Sequence, residues 1–164
     1  MTLSPKQIAK LPYRPCVGVL LLNAENRVFV ARRIDAKKDN PLAWQMPQGG
    51  IDKGEDPEAA ALRELHEEIG TDNVTVLAET GDWLRYDFPP ALVERVRGGR
   101  YRGQEQKWFA MRFLGADSEI NLETEHPEFS DWRWEDFHRL PDLTIAFKRD
   151  TYQAVLREFA HLIT

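Results

Sequence analysis

The run GGIDKGEDPEAAALRELHEEIG, residues 49–70, constrains this chain more than any other stretch. Asp56 is a good N-cap, and Pro57 suits a first helical position, where a missing N–H costs nothing. Gly70 suits the left-handed residue just past a helix end. Ala61, Leu62, Leu65 and Ile69 supply an apolar stripe between those caps, so the spacing predicts a helix over about 57–69. That helix places Glu64, Glu67 and Glu68 on one face, three and four residues apart. Like charges at this spacing repel by a few tenths of a kcal/mol per pair in water, on the order of 0.2–0.5. They repel by more in a cleft. A hard divalent cation held by oxygen ligands resolves the conflict. A solvated acidic face, eased by Arg63 and Lys53, is the plainer alternative. The lead-in favours the cation, because Gly49 and Gly50 let a ligand or metal approach the backbone closely.

The 164 residues favour one compact domain, 1–164, behind a polar leader over residues 1–12. A net charge of −5 argues against binding nucleic acid by charge alone. An anionic substrate therefore needs cations between itself and the protein. Cys16 is the only cysteine and lies in an apolar run, which implies a reducing compartment and a buried thiol. No signal-peptide core or membrane-length apolar run is present, so the expected location is cytoplasmic, without membrane association. Nothing in the sequence points to a stable protein partner.

The segment CVGVLLLNAENRVFVARR reads as a β-hairpin turning at Asn23–Asn26. IDAKKDNPLA is a loop. VTVLAETGDWLRYDF reads as one strand and QKWFAMRFLG as another, with Phe109, Met111 and Phe113 on one face. DWRWED is a short strand. In the last helix Tyr152, Val155, Leu156, Phe159, Leu162 and Ile163 share a face. The pattern predicts a mixed sheet packed by helices on both faces. The tryptophans are expected in the core, and the four scattered histidines make no metal-ligand set.

Residues 49–71 resemble the Nudix box: Gly49, Glu55, Arg63, Glu64, Leu65, Glu67, Glu68 and Gly70 all fit without a gap, and Thr71 replaces the usual aliphatic residue. The resemblance implies an α/β/α Nudix sandwich and hydrolysis of a phosphoric anhydride bond with two or three Mg²⁺ or Mn²⁺ ions. It implies metal ligation by Glu64, Glu67 and Glu68, with Glu64 activating water, and by a backbone carbonyl near Gln48 or Gly49. Glu55 and Arg63 are expected to brace the loop and helix.

Beyond the box, YRPCVGVLL, WQMPQGGID, WLRYDFP, GQEQKWF, PEFSDWRW and FKRDTY occur in that order. Together they resemble the RNA 5′-pyrophosphohydrolase and dinucleoside tetraphosphate hydrolase branch. That likeness implies a further metal ligand at Glu128 and phosphate contacts from Arg14, Arg33 and Lys107. Gln104 and Gln106 alternate with Glu105, so both can face the cleft. Phe147, beside Lys148, and Tyr86 are expected to stack on a nucleobase. The implied substrate is the triphosphorylated RNA 5′ end, trimmed to a monophosphate. Dinucleoside polyphosphates are the alternative, favoured somewhat by a long IDAKKDNPLA loop and an end without a basic tail. A catalytically silent nucleotide-binding module is a third reading, disfavoured because every box acid is present.

Overall fold

The architecture grows outward from one strand. A computed structural model describes residues 2–163. Strand β1 (Tyr13–Leu22) is buried from Cys16 onward, which explains its near-continuous apolar sequence. β1 turns at Asn23–Asn26 into β2 (Val28–Arg33), pairing Leu22 with Val28. The short strands β3 (Trp44–Gln45) and β4 (Gln48–Gly50) follow, β3 on β2 and β4 on the opposite end of β1. The α2 helix (Pro57–Ile69) then crosses the sheet. Strand β7 (Gly103–Phe113) runs parallel to β1 from Tyr13–Gly103 to Leu22–Arg112. Strand β8 (Phe129–Glu135) adds antiparallel to β2.

Alternation on β1 and β7 sorts the core. Val17, Val19, Leu21, Phe109 and Met111 meet Ala61, Leu65 and Ile69 of α2. Leu20, Leu22, Trp108 and Ala110 meet Tyr152, Val155 and Phe159 of the C-terminal helix, which is numbered α4 (Arg149–Phe159). Each fully buried side chain of this size contributes about 1.5–3 kcal/mol relative to exposure. The result is the expected α/β sandwich with a mixed sheet between helices.

Local signals fixed α2 at both ends. Asp56 accepts a hydrogen bond from the Ala59 N–H, and Gly70 is left-handed at φ 78°. The α4 helix is shorter than the apolar stripe: a 3-10 turn over Ala160–Leu162 follows it, and Leu162 and Ile163 still pack against the core.

Two expectations change, and the leader gains a helix. VTVLAETGDWLRYDF forms two strands, β5 (Val74–Glu79) and β6 (Leu84–Asp87), both antiparallel to β7. A register shift between Val76 and Ala78 and the turn after Glu79 interrupt it. The polar leader contains a short helix, α1 (Pro5–Ala9), capped by Ser4, and its Leu3, Ile8 and Leu11 pack against Phe88 and Val93. Of the five tryptophans only Trp108 is fully buried, and Trp83 is exposed.

Candidate active site

The two glycines of strand β4 point to opposite faces of the sheet, and each leaves room for one functional side chain. A Cβ on Gly49 would overlap the Glu64 carboxyl on the α2 side. A Cβ on Gly50 would overlap the Arg14 guanidinium on the other side. Strand alternation thus installs a carboxylate and a cation on either side of one dipeptide.

Arg63 ties the loop to the helix. It donates to Glu55 at 2.8 Å through two nitrogens, to the Gly50 carbonyl at 3.0 Å, and to Glu64 at 3.0 Å. It also reaches Glu67 at 3.2 Å. The guanidinium holds the Glu55 carboxyl at about 2, well below its ordinary range, and Glu55 accepts the Asp52 N–H as well. Glu55 and Arg63 thus link the loop after β4 to the α2 helix.

The helical acids do not form one tight group. Among the described residues, no three acidic, histidine or cysteine side chains are gathered closely enough to hold an ion unaided. Arg63 draws Glu67 outward, leaving its side chain 56% exposed, while Glu68 is buried at 3%. Both Glu68 carboxylate oxygens lack a hydrogen bond of ordinary geometry, although Glu128 and the Gln48 backbone lie alongside. Burial raises the Glu68 carboxyl well above its usual range, and the charges of Glu128 and Glu64 add to this. Burial likewise lifts Glu64 to about 7, against the opposing pull of Arg63. Glu64, Glu67, Glu68 and Glu128 all line a cleft of about 560 Å³ between α2 and the 121–128 segment. Glu123, Glu125, His66 and His126 share its rim.

A second cavity of about 260 Å³ lies on the α4 side, lined by Arg33, Trp44, Gln45, Ile145, Phe147 and Lys148. Lys148 lines this second cavity, and the charges of Glu68 and Glu128 in the acidic cleft reach its ammonium. It is buried, and its ammonium is 3.5 Å from the Gln45 side-chain oxygen. Burial and the nearby Arg33 lower it to about 8, while Glu68 and Glu128 favour its charged form. Its placement follows from Tyr152, one helical turn on, whose hydroxyl accepts the Met46 N–H at 2.9 Å and pins α4 onto the β3–β4 connection. Arg33 is held by a two-pronged pair with Asp35 at 2.9 Å.

Other sequence expectations separate here. Tyr86 is 7% exposed, packed edge-on by Phe88 and tilted against Phe147 at 5.6 Å, so its ring is taken up by an aromatic cluster. Phe147 belongs to a 3-10 turn ahead of α4, packs on Tyr86 and Phe88, and still lines the second cavity. Gln104 and Gln106 do share a face, and Glu105 points away to Arg85. Gln106 is buried, however, and its amide is engaged by Trp108 at 2.9 Å and Gln104 at 2.8 Å. Lys107 lies on the α2 face, in register with Val17, and pairs with Glu79 at 3.8 Å, away from Arg14 and Lys148. Asp35 and Gln45 went unnoticed in the sequence. The WQMPQGG motif was the available signal for Gln45.

The NUDIX domain pattern matches residues 12–159. The chain belongs to the Nudix family. It is 60% identical to a protein named RNA pyrophosphohydrolase from Roseobacter denitrificans, over 98% of this chain and 100% of that one. A protein of the same name from Rhodospirillum rubrum is 57% identical, covering 95% and 92% respectively. Among solved structures, an Escherichia coli dihydroneopterin triphosphate pyrophosphohydrolase superposes with TM-score 0.64 at 21% identity, covering 89% of this chain and 96% of that one. A Caenorhabditis elegans Ap4A hydrolase gives TM-score 0.64 at 18% identity, covering 92% and 97%. At those identities the structures establish the Nudix fold. Nudix hydrolases work with divalent cations, and the donors here fit one. A buried carboxylate whose two oxygens lack hydrogen-bond partners, beside a second carboxylate, is costly until a cation shares them.

Proposed function

We propose that this Nudix hydrolase removes pyrophosphate from the 5′ end of triphosphorylated RNA and leaves a 5′-monophosphate. The observation that carries the reading is the position of Lys148, whose charge feels Glu68 and Glu128 of the acidic cleft while its side chain lines the Phe147 cavity. A phosphate chain laid across Lys148 places its anhydride over the acids and its nucleoside beside Phe147. The two relatives described above carry the matching name.

In this reading Glu64, Glu67, Glu68 and Glu128, with the Gly49 carbonyl, would hold two or three Mg²⁺ or Mn²⁺ ions. Such ions supply charge neutralisation on the phosphates and a more acidic attacking water. Glu64, fixed under Gly49 and by Arg63, takes the water's proton. Lys148, Arg33 and Arg14 hold phosphate oxygens in line. Phe147 stacks on the first base with the face that Tyr86 leaves open. The reaction takes place in the cytoplasm. Among the described residues no helix is long and apolar enough to cross a membrane.

Hydrolysis of diadenosine tetraphosphate is the competing reading, since its phosphate chain and base need the same groups. One preparation assayed on both substrates decides between them. Catalytic efficiency on triphosphorylated RNA should exceed that on diadenosine tetraphosphate. The reverse order removes the RNA reading. Activity in the presence of a chelator removes the metal.

A further inference from the structure

A net charge of −5 conceals one strongly basic stretch, Arg95-Val96-Arg97-Gly98-Gly99-Arg100-Tyr101-Arg102, with four arginines in eight residues and no acid. It connects the α3 turn (Pro90–Val93) to β7. Its backbone is fixed. Val96 and Tyr101 pack against the Tyr86–Phe88–Val93 cluster, and the Arg102 N–H donates to the Pro12 carbonyl at 3.0 Å. The segment therefore returns to the start of β1, two residues from Arg14.

The arginines divide by what they touch. Arg102 pairs with Asp87 at 2.7 Å and donates to the Ala9 carbonyl. The Arg100 Nε donates to the Arg97 carbonyl at 3.1 Å. Arg95 and Arg97 are both exposed, and among the described residues neither side chain has an acid or hydrogen-bond partner; Arg14 is likewise unpaired, and of Arg95 and Arg97 only the latter sits in the left-handed turn. Arg97 also has a positive φ of 47°, ahead of Gly98 at 69° and Gly99 at 75°. Only a few per cent of non-glycine residues adopt such angles, roughly, and glycine would adopt them at lower cost. A fixed left-handed turn thus presents an unpaired guanidinium next to Val96, which packs on the same aromatic cluster as Phe147, and the charges of both Arg97 and Arg14 are felt by the buried Cys16 thiol of β1.

We propose that Arg97, extending the line of charge that starts at Arg14, grips the phosphodiester backbone of the RNA downstream of its 5′ nucleotide. This rests on the RNA reading above. A dinucleoside polyphosphate has no phosphodiester at that place, whereas every RNA beyond its first residues does. The contact is sequence-blind, as fits an enzyme acting on many transcripts, and it weakens with salt.

The test uses the full chain and 5′-triphosphorylated oligonucleotides from two to six nucleotides long. In Arg97→Glu and Arg97→Gly the loss of kcat/KM should grow with length, to roughly tenfold at six nucleotides, mostly in KM. The logarithmic salt slope should shrink by about 0.7, the value of one single-strand phosphate contact. The glycine variant accommodates the positive φ, so a folding defect cannot mimic the result, and its melting temperature should hold. Arg27→Glu, at the far hairpin, makes the same change in net charge and should track the wild type at every length. A deficit equal at all lengths, no deficit in the glycine variant, or an equal effect in Arg27→Glu overturns the proposal. If the wild type cleaves diadenosine tetraphosphate but no triphosphorylated RNA, the RNA reading itself has failed. If it cleaves RNA with a flat Arg97 deficit, only this inference has.

Discussion

Glu68→Gln should make the metal-free protein more stable and the enzyme nearly inactive. The wild-type carboxyl is buried with both oxygens unpartnered, and its pKa lies well above 4.5 in the fold. An acid raised by folding destabilises the folded state once the pH exceeds its unfolded value, because the unfolded chain ionises first. A neutral amide avoids ionisation altogether. At pH 7.5 in a chelator, the variant should therefore melt above the wild type, yet lose most of the Mg²⁺-induced rise and at least tenfold in kcat. A variant that melts lower without metal and keeps the Mg²⁺ shift would remove Glu68 from the metal site. Lys148 makes the opposite kind of prediction. Its folded value of about 8 lies below 10.5, so the cost of its charge is fully present below pH 8. Stability from this group then rises between about 8 and 10.5, where only the unfolded chain keeps the proton. Phosphate binding needs the ammonium, so kcat/KM should fall as pH climbs through about 8. In Lys148→Arg that limb should vanish, since guanidinium stays charged. An unchanged alkaline limb would place its cause elsewhere.

Strand β4 lets two neighbouring residues be tested against each other. A methyl on Gly49 displaces the Glu64 carboxyl, whereas a methyl on Gly50 displaces the Arg14 guanidinium. Gly49→Ala should lower kcat and weaken the response to Mg²⁺, and Gly50→Ala should mainly raise KM. Steady-state kinetics at two metal concentrations reads the split, and identical profiles in both variants would contradict it. How well each element could be read from sequence follows from the range of its causes. The ends of α2 were legible because Asp56, Pro57 and Gly70 act within one turn. Likewise the alternation of Gln104, Glu105 and Gln106 is a property of any strand. The division of residues 74–88 falls at the bend over Gly81 and Asp82, a local turn signal, whereas the register shift at Val76 and Ala78 inside β5 is set by β7, a partner far along the chain, and was not legible. The surroundings of Tyr86 were not legible either, because Phe88, Val93 and Phe147 close around it from other elements. Lys107 carried the right charge on the wrong face. Parity within β7 could have shown that it shares a side with Phe109, and its Glu79 partner could not have been foreseen.

At the scale of the molecule, the site's acids should give the metal-free protein an unusual pH response. Glu64, raised to about 7, destabilises the fold progressively as pH rises from about 4.5 to 7, and Glu68 extends that trend further. Glu55 works in the other direction, but its folded value of about 2 confines its effect to pH below about 4.5. The two windows do not overlap. The melting temperature in a chelator should therefore fall between pH 5 and pH 8, where many proteins are near their plateau. A divalent cation that binds only the folded state reverses this, stabilising by about 2.7 kcal/mol at roughly a hundredfold excess over its dissociation constant. For a domain of this size that is about 5–10 °C, on the usual scale of about 2–4 °C per kcal/mol. The gain should be larger at pH 8 than at pH 5, because ionised carboxylates bind the cation and protonated ones do not. Differential scanning calorimetry across that range, with and without Mg²⁺, measures both trends together. A flat metal-free curve would mean that the cleft acids are solvated after all, and that the folded chain does not hold its carboxylates in readiness for a cation.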